Sequence, residues 1–201
     1  MTEPTAHIVD DDDAIRDALS FLLKSRGVAA RTWPSGEAFL AGAGATARGC
    51  VVLDVRMDGI SGIEVHDQLL ARGSTVPIIF LTGHGDVAAA VAALKKGAFD
   101  FVEKPFNDNE LVDRILEAMR LDAANCAKGD QQASVAARVA TLTARERQVM
   151  ERVAAGEYNK TIADALEIAV RTVEVHRSKV FEKMGVSSAV ELANLLARIR
   201  A

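Results

Sequence analysis

Five short apolar runs, each followed by a helical pattern, fill the first 120 residues of the chain. The runs are His7-Ile8-Val9, Val28 to Trp33, Cys50 to Leu53, Ile78 to Leu81 and Phe99 to Val102. After them, apolar residues recur mostly at three- and four-residue spacing. They are Ile15, Leu19, Leu22 and Leu23; Ala38 and Phe39; Ile63, Val65, Leu69 and Leu70; Val87, Val91 and Leu94; and Leu111, Ile115, Leu116 and Met119. Runs that are apolar at nearly every position suit strands buried on both faces, as in a parallel sheet with helices on both sides. The alternation predicts an α/β fold of the doubly wound kind.

In such sheets ligands bind at the carboxyl ends of the strands. Here those ends are polar. Asp10-Asp11 follows the first run, Asp54 the third and Thr82 the fourth, and the fifth leads into Lys104-Pro105. Taken singly, an Asp-Asp after a strand is most often a helix N-cap, and Asp12 suits that role. A lone Thr or Lys at a strand end means little. Together they converge on one rim. Two bare carboxylates ~4 Å apart repel by about 4 kcal/mol at an effective dielectric of 20, so the rim calls for a cation. Mg²⁺ accepts carboxylates, carbonyls and water. With Lys104 as a mobile charge and Thr82 as a hydroxyl donor, the set suits phosphoryl acceptance by Asp54.

The formal charge of −4 at first argues against nucleic acid, but it is unevenly placed. Residues 1–120 carry 18 acidic and 12 basic side chains, a net of −6, and residues 141–201 carry 8 and 10, a net of +2. Opposite signs point to different partners. Between them, residues 121–140 lose the apolar pattern and read as a linker, either a coil or a helical tether weakened by Gly129. Cys50 and Cys126 have no CxxC spacing, so neither zinc nor a disulfide framework is expected. The longest apolar stretch, Val87 to Leu94, is too short to span a bilayer, and the Asp10–Asp13 run is unlike a secretory leader. These features predict a cytoplasmic protein with no membrane partner.

A second module begins with the capping box Thr143-Ala144-Arg145-Glu146. Its helix runs to about Ala155, with Gly156 as the stop. Asn159 is placed to cap a short helix to Leu166. A third helix runs from about Val170 to Met184 and stops at Gly185, and Ser188 to Glu191 forms another capping box for a last helix. Four short helices with tight turns predict an all-α helix-turn-helix domain.

On a helical wheel of the third helix, Val173, Val180 and Met184 form one stripe. Arg171, Glu174, Val175, Ser178 and Glu182 lie on the opposite face, free to enter a major groove. Lys179 and Lys183 flank it on one side and Arg177 on the other, which suits phosphate contacts. Glu174 can accept from cytosine N4, Val175 can touch a thymine methyl, and Ser178 can bond several bases. Mixed charge is also ordinary on a solvated helix face. His176 borders the buried stripe and reads as a packing residue.

The first 120 residues resemble the receiver domain of two-component response regulators. The matching segments are Ile8 to Asp12, Leu53 to Met57 with Gly59 and Gly62, Leu81 to Asp86, and Gly97 to Phe106. The resemblance implies a flavodoxin-like (βα)5 fold with Asp54 as phosphoacceptor. It implies Mg²⁺ held by Asp11, Asp54 and the Arg56 carbonyl, with Asp10 acting through water. Thr82 and Phe101 become the switch pair and Lys104 the phosphate-contacting lysine. The family usually has Pro where this chain has Asp58, which predicts altered phosphorylation or dephosphorylation rates.

The second module resembles the LuxR-type helix-turn-helix of the NarL/FixJ family, closest to FixJ-type regulators. Leu142 to Met150, Asn159 to Ala163, Arg171 to Arg177 and Lys183-Met184 carry the likeness. DNA contacts are expected from Lys160, Arg171, Thr172, Glu174, Val175, Arg177, Ser178 and Lys179. The family usually has Ser where this chain has Ala169, a missing N-cap worth roughly 1 kcal/mol. The domains implied are a receiver at 1–120, a linker at 121–140 and a DNA-binding domain at 141–201.

The partners implied are a sensor histidine kinase, promoter DNA, a second copy when phosphorylated, and room for RNA polymerase. Lys95, Lys96, Asp100 and Glu103 are expected to pair across that dimer. His84, between two glycines beside Thr82, reads as an exposed loop residue; His7 and His66 have no metal-ligand spacing. Two other functions fit parts of the pattern. A Mg²⁺-dependent aspartyl-phosphate hydrolase would need an Asp two residues after the nucleophile, where Arg56 stands. A receiver that never takes phosphate would have no use for an intact Asp11, Asp54, Thr82 and Lys104.

Overall fold

The computed structural model of the chain describes residues 4–83 and 87–200. His84 lies outside them. Two compact units are present, Met1–Cys126 and Ala127–Ala201.

The first unit is built on five parallel strands: β1 (Thr5–Val9), β2 (Ala30–Trp33), β3 (Gly49–Asp54), β4 (Ile78–Thr82) and β5 (Asp100–Glu103). Their order is β2-β1-β3-β4-β5, the flavodoxin-like arrangement. Every residue of β3 and β4 is buried, as their apolar runs require. Side chains alternate between the two faces. Leu53 and Phe80 join Phe39 and Val65 in one core, while Val52, Ile79 and Leu81 join Leu19, Leu23, Leu111 and Ile115 in the other. Each such side chain contributes roughly 1.5–3 kcal/mol on burial.

The helices of this unit are α1 (Asp13–Ser25), α2 (Gly36–Gly42), α3 (Gly62–Ala71), α4 (Val87–Lys95) and, as far as Cys126, α5 (Asp108–Ala140), with a 3-10 turn at Gly44–Thr46. Asp12 is the N-cap of α1, accepting from the Ala14 amide at 2.8 Å. Segment 121–140, for which the sequence leaves helix and coil open, is a helix continuous with α5. Its first part is keyed to the sheet. The buried Asp122 carboxylate accepts from the Gly49 amide at 2.8 Å and the Arg48 Nε at 3.2 Å. Gly49 has φ +107°, and a Cβ there would lie 2.4 Å from the Thr5 carbonyl oxygen.

The second unit holds α6 (Ala144–Ala154), α7 (Asn159–Leu166), α8 (Val170–Met184) and α9 (Ala189–Arg200). Val149, Ile162, Val173, Val180, Met184 and Leu192 form its core, together with Val135 from the end of α5. Thr143 and Glu146 make the expected capping box. Two other caps differ from expectation. Tyr158, not Asn159, stands at the N-cap of α7, and no side chain caps that end; Asn159 is already helical and its Oδ1 accepts from Arg177 instead. At α9, Ser188 accepts from the Glu191 amide, but the Glu191 carboxylate reaches back to Ser187 rather than Ser188. Among the described residues no helix is long and apolar enough to cross a membrane.

Candidate functional site

The sheet order places β1 and β3 side by side, with Val9 opposite Leu53. Asp10 and Asp54 therefore leave adjacent strands at the same edge. The β4–β5 register, Thr82 opposite Glu103, brings Lys104 next to them. The Lys104 amide donates to the Thr82 carbonyl at 2.7 Å. Its ammonium lies 2.6 Å from Asp54 Oδ1 and 2.9 Å from Asp10 Oδ2. Both carboxylates are nearly removed from water, with Asp10 1% and Asp54 6% exposed. Their remaining oxygens are held by the main chain: Asp12 N donates to Asp10 Oδ1 at 2.9 Å, and Arg56 N to Asp54 Oδ2 at 2.8 Å.

The loop after Asp54 is shaped by close approach. A Cβ at Gly62 would stand 2.1 Å from the Asp54 carbonyl oxygen, so only glycine lets α3 begin there. Asp11 is exposed, and its Oδ2 accepts from the Asp58 amide at 3.0 Å. The Asp58 side chain is itself exposed.

Burial pushes the Asp54 carboxyl above its ordinary range; the Lys104 hydrogen bond and charge oppose this and the Asp10 charge adds to it. Burial also works against a charged Lys104. The hydrogen bonds and charges of Asp54 and Asp10 outweigh it and hold the ammonium above its usual value, so Lys104 stays charged. Thr82 is fully buried, and its Oγ1 has no hydrogen-bond partner among the described residues. Phe101 is half-buried and packs against the core that holds Leu53 and Phe80.

No group of three or more acidic, His or Cys side chains among the described residues is gathered closely enough to hold a metal ion. Mg²⁺ asks for less, usually one or two carboxylates with waters making up the octahedron. Asp11 and Asp54 are hard oxygen donors of that kind at one rim. Arg16 of α1, which the sequence reading passed over, also stands here: one guanidinium nitrogen donates to the Asp10 carbonyl oxygen at 2.6 Å and another pairs with Asp13. An Asp and Arg three apart on a helix start was the available signal.

In the second unit, Arg171, Thr172, Glu174, Val175, Ser178, Lys179 and Glu182 are exposed on α8, while Val173, Val180 and Met184 are fully buried. Lys160 is exposed on α7. Arg171 pairs with Glu174 at 3.0 Å. Two cations are less open than the helical wheel implies. Arg177 is half-buried, held by Asn159 at 2.8 Å and lying over the Phe181 ring. Lys183 turns inward, because the buried Glu146 carboxylate at 2.6 Å and the Thr141 carbonyl at 3.1 Å draw its ammonium. The charges expected to pair across a dimer are also partly engaged within the chain. Lys96 makes two 2.8 Å bonds to Asp67, and Asp100 pairs with Arg114.

Residues 6–116 match the response regulator receiver domain, and residues 140–196 match the bacterial regulatory proteins of the luxR family. The C4-dicarboxylate transport transcriptional regulatory protein DctR of Rhodobacter capsulatus is 52% identical over 193 residues, covering 95% of this chain and 98% of that one. The transcriptional regulatory protein FixJ of Bradyrhizobium diazoefficiens is 46% identical over 198 residues, covering 98% and 96%. Among solved structures, the response regulator StyR superposes with a TM-score of 0.91 at 38% identity, covering 98% of this chain and all of that one. The chain belongs to the two-component response regulators, in the NarL/FixJ family that joins a receiver domain to a LuxR-type DNA-binding domain and acts in transcription.

Proposed function

We propose that Asp54 is the residue that takes the phosphoryl group, and that residues 1–120 switch the DNA-binding work of 141–201 through the helix at 121–140. The observation that carries this reading is the Lys104 ammonium lying between the Asp54 and Asp10 carboxylates. A carboxylate oxygen of Asp54 attacks phosphorus. The bond from phosphorus to the donor, a histidine nitrogen of a sensor kinase or the acyl oxygen of acetyl phosphate, breaks, and an aspartyl phosphate forms. Lys104 follows the charge from carboxylate to phosphoryl oxygen. Asp11, Asp54 and the Arg56 carbonyl are suited to hold Mg²⁺, with Asp10 acting through water; when bound, the ion neutralises phosphoryl oxygens.

Thr82 supplies the switch. Its buried hydroxyl lacks a partner, and a phosphoryl oxygen at Asp54 gives it one. The shift frees space for Phe101 to turn inward, and the surface around α4 and β5 repacks to favour a second copy. Two C-terminal units then meet paired half-sites of promoter DNA. Glu174, Val175 and Ser178 read bases, and Lys160, Arg171, Thr172, Arg177 and Lys179 meet phosphates. RNA polymerase is the further partner such a complex addresses, and the cytoplasm is where it acts.

The deciding experiment incubates wild type and Asp54→Asn with Mg²⁺ and acetyl phosphate. Mass, dimerisation and DNA retention are then followed. One added phosphoryl group, a dimer and tighter DNA binding are expected for wild type and none of these for Asp54→Asn. Repeated turnover to free phosphate, or unchanged DNA binding with no mass shift, overturns the reading.

A further inference from the structure

Arg16 sits on the second turn of α1 with its side chain only 11% exposed, whereas its partner Asp13 is 88% exposed. Among the described residues its two polar partners are the Asp10 carbonyl oxygen and the Asp13 carboxylate. Besides the Lys104 ammonium on its Oδ2, Asp10 is held at two further points. Arg16 fixes its peptide carbonyl at 2.6 Å, and the Asp12 amide fixes its Oδ1 at 2.9 Å. Asp11 lies inside this loop, so its main chain is set by the same clamp, and its carboxylate is left to meet the Asp58 amide. A guanidinium can serve a carbonyl and a carboxylate at once in one rigid fork, whereas an ammonium offers a single mobile charge.

We propose that Arg16 is a positioning residue for phosphoryl acceptance: its fork fixes the Asp10–Asp13 turn so that Asp11 and Asp10 present their carboxylates to Mg²⁺ beside Asp54. The proposal rests on the phosphoacceptor reading of Asp54 and adds a residue that touches neither Asp54 nor Lys104. Groups that orient metal ligands are worth roughly 10–100-fold in affinity or activity.

The test compares wild type, Arg16→Ala and Arg16→Lys as full chains. Mg²⁺ affinity is read by calorimetry, the rate of phosphorylation by acetyl phosphate at saturating Mg²⁺ by mass, and receiver folding by Trp33 fluorescence. Both variants are expected to lose roughly tenfold or more in Mg²⁺ affinity and in rate, because each breaks the fork. Arg16→Lys keeps the charge and the apolar stem, so it answers the question even where Arg16→Ala unfolds. Wild-type values in Arg16→Lys mean that charge alone suffices and overturn the proposal; so do values within about twofold of wild type in a folded Arg16→Ala, given the effect sizes expected of such groups. A wild type that binds Mg²⁺ but takes no phosphate defeats the phosphoacceptor reading, and the Mg²⁺ affinities then decide Arg16 on their own. A wild type that binds no Mg²⁺ overturns both.

Discussion

The ammonium of Lys183 on α8 lies 2.6 Å from a carboxylate oxygen of Glu146 on α6. That contact, with the Thr143 amide, pulls the Glu146 carboxyl down to about 2. A group whose folded value is depressed adds stability above its unfolded value and loses it as pH falls toward the folded one. The contribution is thus complete above about 4.5 and fades between there and about 2. Urea melts of the second unit, followed through its lone tyrosine Tyr158, should show this acid loss. Glu146→Gln should flatten that dependence, while Lys183→Met should shift it to higher pH. A wild-type acid profile in Lys183→Met would mean that the pair does not set the titration.

The buried, unpartnered hydroxyl of Thr82 makes a second prediction, in which stability and signalling move in opposite directions. A polar group buried without a hydrogen bond costs about 1–3 kcal/mol. Valine has nearly the same shape and suits β4. Thr82→Val should therefore raise receiver stability by roughly 1 kcal/mol, read through Trp33. The same variant should take phosphate yet dimerise poorly, because the hydroxyl that donates to the phosphoryl oxygen is gone. A loss of stability would show that the hydroxyl is satisfied in solution.

Asp58 meets the rim through its amide, and its carboxylate makes no contact there among the described residues. The amide donates to Asp11 Oδ2 at 3.0 Å, and the side chain is exposed. Proline, the usual family residue at this position, has no N–H to give. Asp58→Pro should free Asp11 and change the phosphorylation or dephosphorylation rate by roughly tenfold, since a hydrogen bond to a charged group is worth about 1.5 kcal/mol. Asp58→Ala keeps the amide and should stay near wild type. Equal rates in wild type and Asp58→Pro would remove this residue from the mechanism, and a large change in Asp58→Ala would return the effect to its charge.

What the sequence disclosed followed from periodicity. Strand ends are visible where apolar runs stop, and in a parallel sheet all such ends share one edge. Asp10, Asp54, Thr82 and Lys104 are therefore gathered by the sequence pattern alone. Arg16 showed only its i,i+3 spacing from Asp13; its contact with the rim is to the Asp10 main-chain carbonyl, and every residue offers one of those. Asp122 was hidden for the same reason: it meets the Gly49 amide across 73 residues of sequence. Asn159 carried a cap-forming side chain, but Arg177 on α8 competes for it. The Lys183 side chain left the face that a helical wheel assigns it, since a wheel places Cβ atoms and says nothing of where a long flexible stem ends. The helix runs through Gly129 although that residue's local propensity is weak.

Ala169 offers the last prediction. It stands at the N-cap of α8 with φ −68° and ψ 145°, the extended geometry a capping residue adopts, but no side chain bonds to the helix. Its carbonyl already accepts from the Thr172 amide at 2.9 Å. Serine at this position needs no backbone change to bring its hydroxyl to the amide of Arg171 or Thr172. Ala169→Ser should therefore stabilise the second unit by about 1 kcal/mol. If the first turn of α8 frays before DNA is bound, part of that gain should appear as affinity, up to roughly fivefold. Titrations at one fixed salt concentration, with non-specific duplex as control, separate this from a general electrostatic change. A stabilised unit with unchanged affinity would mean that the first turn of α8, which carries Arg171 and Thr172, is already ordered before it meets DNA.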